Sequence, residues 1–203
     1  WVNDDTSKQF QKQPHSAPAF AGVAPQGQLT IADDLLLVPG GRSLPAAFER
    51  SSGKLSFFHF GGKGQGGSFV AADGQRAMVH TRRRGTIAMQ LPYGKVGGLR
   101  VNEPVLDGSM LYAADDDGSA IAAYDTNNQR LWQVDVDGSG DLIKAGNRLY
   151  AAGGGNLTAV DLPAEGSPSQ VAWSIPVQGE VLRLVAASDR LFAVTLHGRI
   201  LAF

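Results

Sequence analysis

Met110-Leu111-Tyr112-Ala113-Ala114, then Asp115-Asp116-Asp117-Gly118, then Ala120-Ile121-Ala122-Ala123-Tyr124 is the stretch that decides the fold. Two short apolar runs flank a turn of Asp and Gly, residues that tolerate the positive φ a tight hairpin requires. The pattern extends both ways. Pro104-Val105-Leu106 precedes a turn at Asp107-Gly108, and Arg130-Leu131-Trp132-Gln133-Val134 follows a turn at Asn127-Asn128. Read in order, these segments predict one antiparallel sheet with the Trp132 segment as its outer strand.

The same phrase returns along the chain. Arg148-Leu149-Tyr150-Ala151-Ala152, Gly153 to Gly155 and Leu157 to Asp161 repeat it, with Val171-Ala172-Trp173-Ser174-Ile175 as the outer strand. Arg190-Leu191-Phe192-Ala193-Val194, His197-Gly198 and Ile200 to Phe203 repeat it again without an outer strand. Two earlier copies run from Leu29 to Phe60 and from Ser68 to Leu91, the second the most degenerate, with Arg82-Arg83-Arg84-Gly85 at its central turn. Anchored on Phe48, Met89, Tyr124, Val160 and Phe203, the spacings are 41, 35, 36 and 43 residues. A period of about 40 residues in a β-rich chain predicts a propeller with one four-stranded blade per repeat. The expectation is therefore an all-β chain of about five antiparallel blades, at 29–60, 66–92, 99–136, 141–177 and 180–203. Alanines before the aromatic anchor suit strands crowded near a propeller axis, and Trp132 and Trp173 are expected to pack between neighbouring blades. Residues 1–28 carry Pro14, Pro18 and Pro25 and few β-branched residues, which predicts a wrapping loop.

Composition narrows function mainly by exclusion. The formal net charge of −1 gives no electrostatic case for nucleic acid or an anionic membrane. The longest clear apolar run is Leu35 to Val38, far below the roughly 18 residues of a membrane span. With no cysteine, disulfides, thiolate metal sites and a cysteine nucleophile are excluded.

Several segments carry possible chemistry. Asp135, Asp137, Ser139, Gly140 and Asp141 fall in the order of a Ca²⁺-binding loop, with oxygen ligands at alternate positions. Position 12 is Gly146 in place of a bidentate Glu, and no helices flank the segment, which favours an inter-blade turn. Gly61 to Ser68 has the look of a phosphate cradle, but a strand follows where a P-loop requires a helix. The four histidines, His15, His59, His80 and His197, show no paired spacing. The segments that break the repeat are the better candidates: Pro14-His15, Ala24-Pro25-Gln26-Gly27 and Pro39-Gly40-Gly41-Arg42-Ser43. Arg42, with His15 and Gln26, is placed to recognise a carboxylate or sugar-like ligand by directional hydrogen bonds. The competing role for Arg42 is to brace the N-terminal segment.

Arg148 to Ala151, Gly155 to Asp161 and Trp173 together resemble the pyrroloquinoline-quinone (PQQ)-like β-propeller repeat, as does Gly118 through Tyr124-Asp125 to Leu131-Trp132. That superfamily holds the quinoprotein alcohol dehydrogenases and the lipoprotein of the outer-membrane β-barrel assembly machinery. Pro14-His15, Pro18 to Gly27, Val38 to Phe48 and Gly66-Gly67-Ser68 are similar to the PQQ-binding-like repeat proteins abundant in planctomycetes. The resemblance implies a periplasmic or extracellular propeller of seven or eight blades, of which this chain is a part. Trp1 then reads as the outer-strand Trp of a preceding blade. The rival reading is a five-bladed ring closed by the N-terminal segment. PQQ and Ca²⁺ are the cofactors the resemblance brings into view, but neither the cysteine pair nor a matching metal set is present, so no cofactor is expected. The expected role is a binding or scaffold module for a protein partner or for other domains of a longer chain. The alternative is a quinoprotein-like oxidoreductase, or a small-ligand or sugar-binding propeller with its site at the channel mouth.

Overall fold

The computed structural model describes residues 1–2, 9–12, 18–41, 43–59, 65–74, 76–81, 85–92, 95–163 and 169–203. Every regular element among them is a β-strand. The chain divides into two compact units, Trp1–Arg100 and Val101–Phe203.

In the first unit, β1 (Gln9–Lys12) and β2 (Pro18–Ala21) form an antiparallel hairpin with Phe10 in register with Phe20. The 1–28 segment, expected as a wrapping loop, thus includes a paired hairpin. Pro18 opens a strand, a position where its missing N–H is tolerated, and the pairing compensates for polar residues of low strand propensity. The first blade has strand order β3 (Thr30–Ala32), β4 (Leu35–Gly40), β5 (Ser43–Glu49) and β6 (Leu55–Phe57). The second comprises β7 (Gln65–Asp73), β8 (Arg76–Thr81), β9 (Thr86–Gln90) and β10 (Lys95–Val101). β10 moves a boundary. Residues 99–101, which the repeat reading gives to the third blade, lie in the fourth strand of the second. Lys95-Val96-Gly97-Gly98 lacks the Trp that marks the outer strands of the third and fourth blades, so nothing local announces it.

The second unit contains a third blade of β11 (Val105–Asp107), β12 (Met110–Ala114), β13 (Ile121–Tyr124) and β14 (Arg130–Val134). The fourth blade is β15 (Leu142–Ala145), β16 (Arg148–Gly153), β17 (Asn156–Asp161) and β18 (Gln170–Pro176). The fifth sheet has three strands, β19 (Val181–Ala187), β20 (Arg190–Thr195) and β21 (Ile200–Ala202). Ser188 and Asp189, at φ 50° and 58°, make the two-residue turn joining β19 to β20, as a primed hairpin turn requires.

The core lies between blades. Leu37, Leu44 and Ala47 of the first pack against Val70, Val79 and Met89 of the second. Tyr112, Ile121 and Ala123 of the third meet Leu149, Ala151 and Val160 of the fourth, with Trp132 at the margin. Ala152 and Leu157 of the fourth meet Leu184, Leu191 and Ala193 of the fifth, with Tyr150, Trp173 and Ile175 around them. Both tryptophans thus occupy inter-blade positions.

A recurring ladder explains the alanines. Tyr112 pairs with Ala123, which pairs with Trp132. Tyr150 pairs with Ala159, which pairs with Trp173. The rings sit on strands about 9.5 Å apart, yet their centroids are 6.0 and 5.9 Å apart. They lean together over the alanine because its side chain is too short to separate them. The small residues therefore serve ring contact within each blade.

Candidate functional site

The Asp135–Asp141 segment connects β14 to β15, and several of its polar atoms bond to neighbouring strands and turns. Gly138 N–H donates to Gly118 O at 2.9 Å on the β12–β13 turn, and Gly140 N–H donates to Ala152 O at 2.9 Å at the end of β16. Asp137 Oδ1 accepts from Ser139 N–H at 2.9 Å, closing an Asx turn. The Asp137 carboxylate also lies where a Cβ on Gly153 or Gly154 would be. Asp141 is buried, 8% exposed. Its Oδ2 accepts from Leu184 N–H at 2.6 Å, joining the fourth blade to the fifth, and its Oδ1 is 3.6 Å from Arg183 Nη1. Arg183 Nη1 in turn lies 3.3 Å from Glu103 Oε2. Asp135 is exposed. Among the described residues no group of three or more His, Asp or Glu is placed to hold a metal ion. Asp137 and Asp141 thus each turn a carboxylate oxygen to a backbone N–H, a role that spacing alone does not separate from cation binding.

Burial pushes the Asp141 carboxyl above its usual range, outweighing the Leu184 hydrogen bond and the Arg183 charge, which pull it down. Between the unfolded value near 3.9 and the raised native value, the folded state binds the proton more readily than the unfolded state. Asp141 therefore favours folding increasingly as pH falls through that window, and this contribution is lost as pH rises through the native pKa. Urea unfolding of the native chain and of Asp141→Asn between pH 7 and pH 4 checks this. The native chain should gain stability relative to the variant on acidification, and a flat or reversed difference would refute the assignment.

Arg42 and His15 lie outside the described residues, as do Arg82, Arg83 and Arg84 and the first half of the Gly61–Ser68 stretch, 61–64. Gln26 is exposed. Its N–H donates to Pro39 O at 2.9 Å, and its side-chain amide lies against Gly41, whose φ is +68°. The Ala24–Gly27 and Pro39–Gly41 segments thus approach one another at the β4–β5 tip, where Gly41 N–H also donates to Gly67 O at 3.1 Å. His59 stacks with Phe57 at 6.4 Å, and His80 Nδ1 accepts from Ser68 N–H at 3.2 Å.

The surface feature that sequence reasoning missed is in the second unit. A groove of about 510 Å³ is lined by Tyr150, Trp173, Arg190, Leu191, Phe203 and their neighbours. Beside it Arg148 Nε and Nη2 both reach Asp161 Oδ1 at 2.6 Å. The floor is aromatic and the rim charged. Beyond the groove, Leu182, Val185 and Ile200 of the fifth sheet are exposed, as is Leu196 just after β20. On the face turned away from the fourth blade, Phe192 pairs with Ala202 and Val194 with Ile200, extending the apolar row.

Four-stranded antiparallel blades packed face to face through small and branched residues define a β-propeller protein. Solved structures bear this out. BamB from Moraxella catarrhalis aligns at TM-score 0.66 and 16% identity over 93% of this chain and 64% of its own length. A structure of the mitotic checkpoint complex aligns at TM-score 0.67 and 13% identity over 100% of this chain and 68% of its own. The computationally designed Ika8 protein aligns at TM-score 0.61 and 11% identity over 86% and 57%. The chain therefore spans about 64% of the length of BamB and 57% of that of Ika8. No described protein family matches the sequence, and no curated protein does.

Proposed function

We propose that this chain is a binding or scaffold module of an extracytoplasmic β-propeller protein, making protein–protein contacts and working without quinone or Ca²⁺. The observation that carries the reading is the open apolar face of the fifth sheet, where Ile200 is 70% exposed and Val185 48%. Contiguous exposed apolar surface marks a contact site, for a separate protein or for another part of a longer chain. An enzyme of the quinoprotein kind calls for convergent polar side chains with a titratable group poised in a cavity. Asp141, the buried carboxylate, instead has its oxygens turned to a backbone N–H and an arginine. The solved structure from the mitotic checkpoint complex is an example of this fold inside a multiprotein assembly. The extracytoplasmic setting follows from the PQQ-like repeat resemblance.

A photo-crosslinking residue at Val185 or Ile200, introduced into the protein in its own cells, tests the reading. A single partner polypeptide should be captured there and not from Asn128 in the exposed β13–β14 turn. Stabilisation of the purified chain by Ca²⁺ or PQQ in a thermal-shift measurement would overturn the reading in favour of the quinoprotein-like or ligand-binding alternative, whose candidate residues are Arg42, His15 and Gln26.

A further inference from the structure

We infer that the glycine-walled cavity between the β16–β17 turn and the connections on either side of the fourth blade receives a lysine side chain from a partner polypeptide. The inference rests on the protein-binding reading and gives that partner a residue and a place to put it.

The cavity arises from a difference between two repeats. In the third blade the β12–β13 turn is filled by its own side chains: Asp117 Oδ1 accepts from Ser119 N–H at 2.9 Å, and Ser119 Oγ donates to Asp115 Oδ2 at 3.3 Å. The next connection closes onto it, with Gly138 N–H donating to Gly118 O at 2.9 Å. In the fourth blade a like closing bond runs from Val177 N–H to Gly155 O at 2.8 Å. Here, however, the turn is Gly154-Gly155 and has no side chain to bring into the space behind it. Gly140, Gly153 and Gly179 continue the wall, and about 160 Å³ stays open. That is below the roughly 300–1,000 Å³ of sites for whole small molecules, and is room for one side chain.

The polar groups select which side chain. Three acceptors on the cavity wall have no partner among the described residues: the Glu180 carboxylate, Ser139 Oγ and Asn156 Oδ1. The donors beside them are spent. Gly140 N–H donates to Ala152 O at 2.9 Å, and Asn156 Nδ2 donates to Gly154 O at 3.3 Å. Asp137, whose carboxylate lies against Gly153 and Gly154, adds a second negative charge. The neighbouring cations are engaged elsewhere. Arg199 Nη1 donates to Gln178 Oε1 at 3.2 Å, and Arg183 Nη1 lies 3.3 Å from Glu103 Oε2 and 3.6 Å from Asp141 Oδ1. Free acceptors and uncompensated negative charge call for a cationic donor. An ammonium brings three N–H donors as a compact charge on a slender apolar stem, which suits a small cavity better than the flat guanidinium fork.

The probe is a blocked Ser/Gly peptide with one central lysine, titrated into the isotope-labelled whole chain and followed by the amide resonances of Ser139, Gly155, Gly179 and Glu180. Saturable shifts centred on these residues are expected, and added salt should weaken them as it screens the charges. Norleucine in place of the lysine keeps the stem and removes the ammonium, and should weaken binding about tenfold, the scale of one hydrogen bond to a charged group. Glu180→Gln in the chain should cost about the same. Glu180→Lys should abolish binding by setting a positive charge at the cavity mouth. Glu180 is exposed, so both variants keep the fold, which circular dichroism checks. Equal binding of the lysine and norleucine peptides, tighter binding of an arginine peptide, or no binding to a folded chain overturns the inference. Binding of free butylammonium but not of the peptide also overturns it, since the cavity would then take a small amine and not a residue of a polypeptide. Failure of the lysine peptide alongside crosslinking at Val185 would leave the scaffold reading standing. Stabilisation by Ca²⁺ or PQQ would remove that reading without touching the peptide result.

Discussion

Replacing Leu149 with alanine is expected to lower the free energy of unfolding by about 2–5 kcal/mol, with the result toward the upper end. Leu149 is fully buried near the start of β16, opposite Val160, in the apolar cluster joining the third and fourth blades. The cost of such a truncation depends on how far the surroundings collapse into the space left. Here they collapse poorly, because Ala123 and Ala151 in the same cluster have no side chain to extend and each sheet is held by its ladder. Trp132 lies at the margin of the cluster, so its fluorescence in urea reports the loss. A change below about 1 kcal/mol would mean that the two blades do not share a close-packed interface.

A second large effect is expected at Gly140. A Cβ there would lie 2.6 Å from Ala152 O and 3.1 Å from Val181 O, both main-chain atoms that move only if strands move. Relieving the clash would part Gly140 N–H from Ala152 O and disturb the neighbouring bond from Ala152 N–H to Asp141 O, 2.8 Å long. Asp141 would then lose its aim at Leu184. Gly140→Ala should therefore cost about 3 kcal/mol, the upper range for overpacking. Gly97→Ala is the matched control: nothing lies within 4 Å of its added Cβ, and the change should fall within about 0.5 kcal/mol of the native chain. Equal midpoints for the two variants in urea would show that the inter-blade connection is not in tight contact.

These expectations separate what was local from what was not. The hairpin phrases around Asp117-Gly118 and Gly154-Gly155 were legible because turn chemistry and alternation act over a few residues. The inter-blade place of Trp132 and Trp173 followed from their equivalent positions in successive repeats. Less was legible where pairing overrode weak propensity. Gln9–Lys12 pairs with Pro18–Ala21, and Lys95–Val101 completes the second blade without an aromatic mark. The candidate site divided the same way. The Asp135–Asp141 pattern was visible, but the direction of each carboxylate depends on Ser139, Gly153 and Leu184, the last of them 43 residues away from Asp141.

By itself the sequence determined the unit of construction: a four-strand phrase, its turns, its period and the aromatic that closes it. These arise from steric and hydrogen-bonding preferences of neighbouring residues, so they can be read along the chain. Tertiary structure alone decided that Ala123 and Ala159 are floors for paired rings, that Asp141 braces one blade on the next, and that Val185, Phe192 and Ile200 line an open face. Each of these depends on which strands lie side by side, and that is set by packing between residues far apart in sequence.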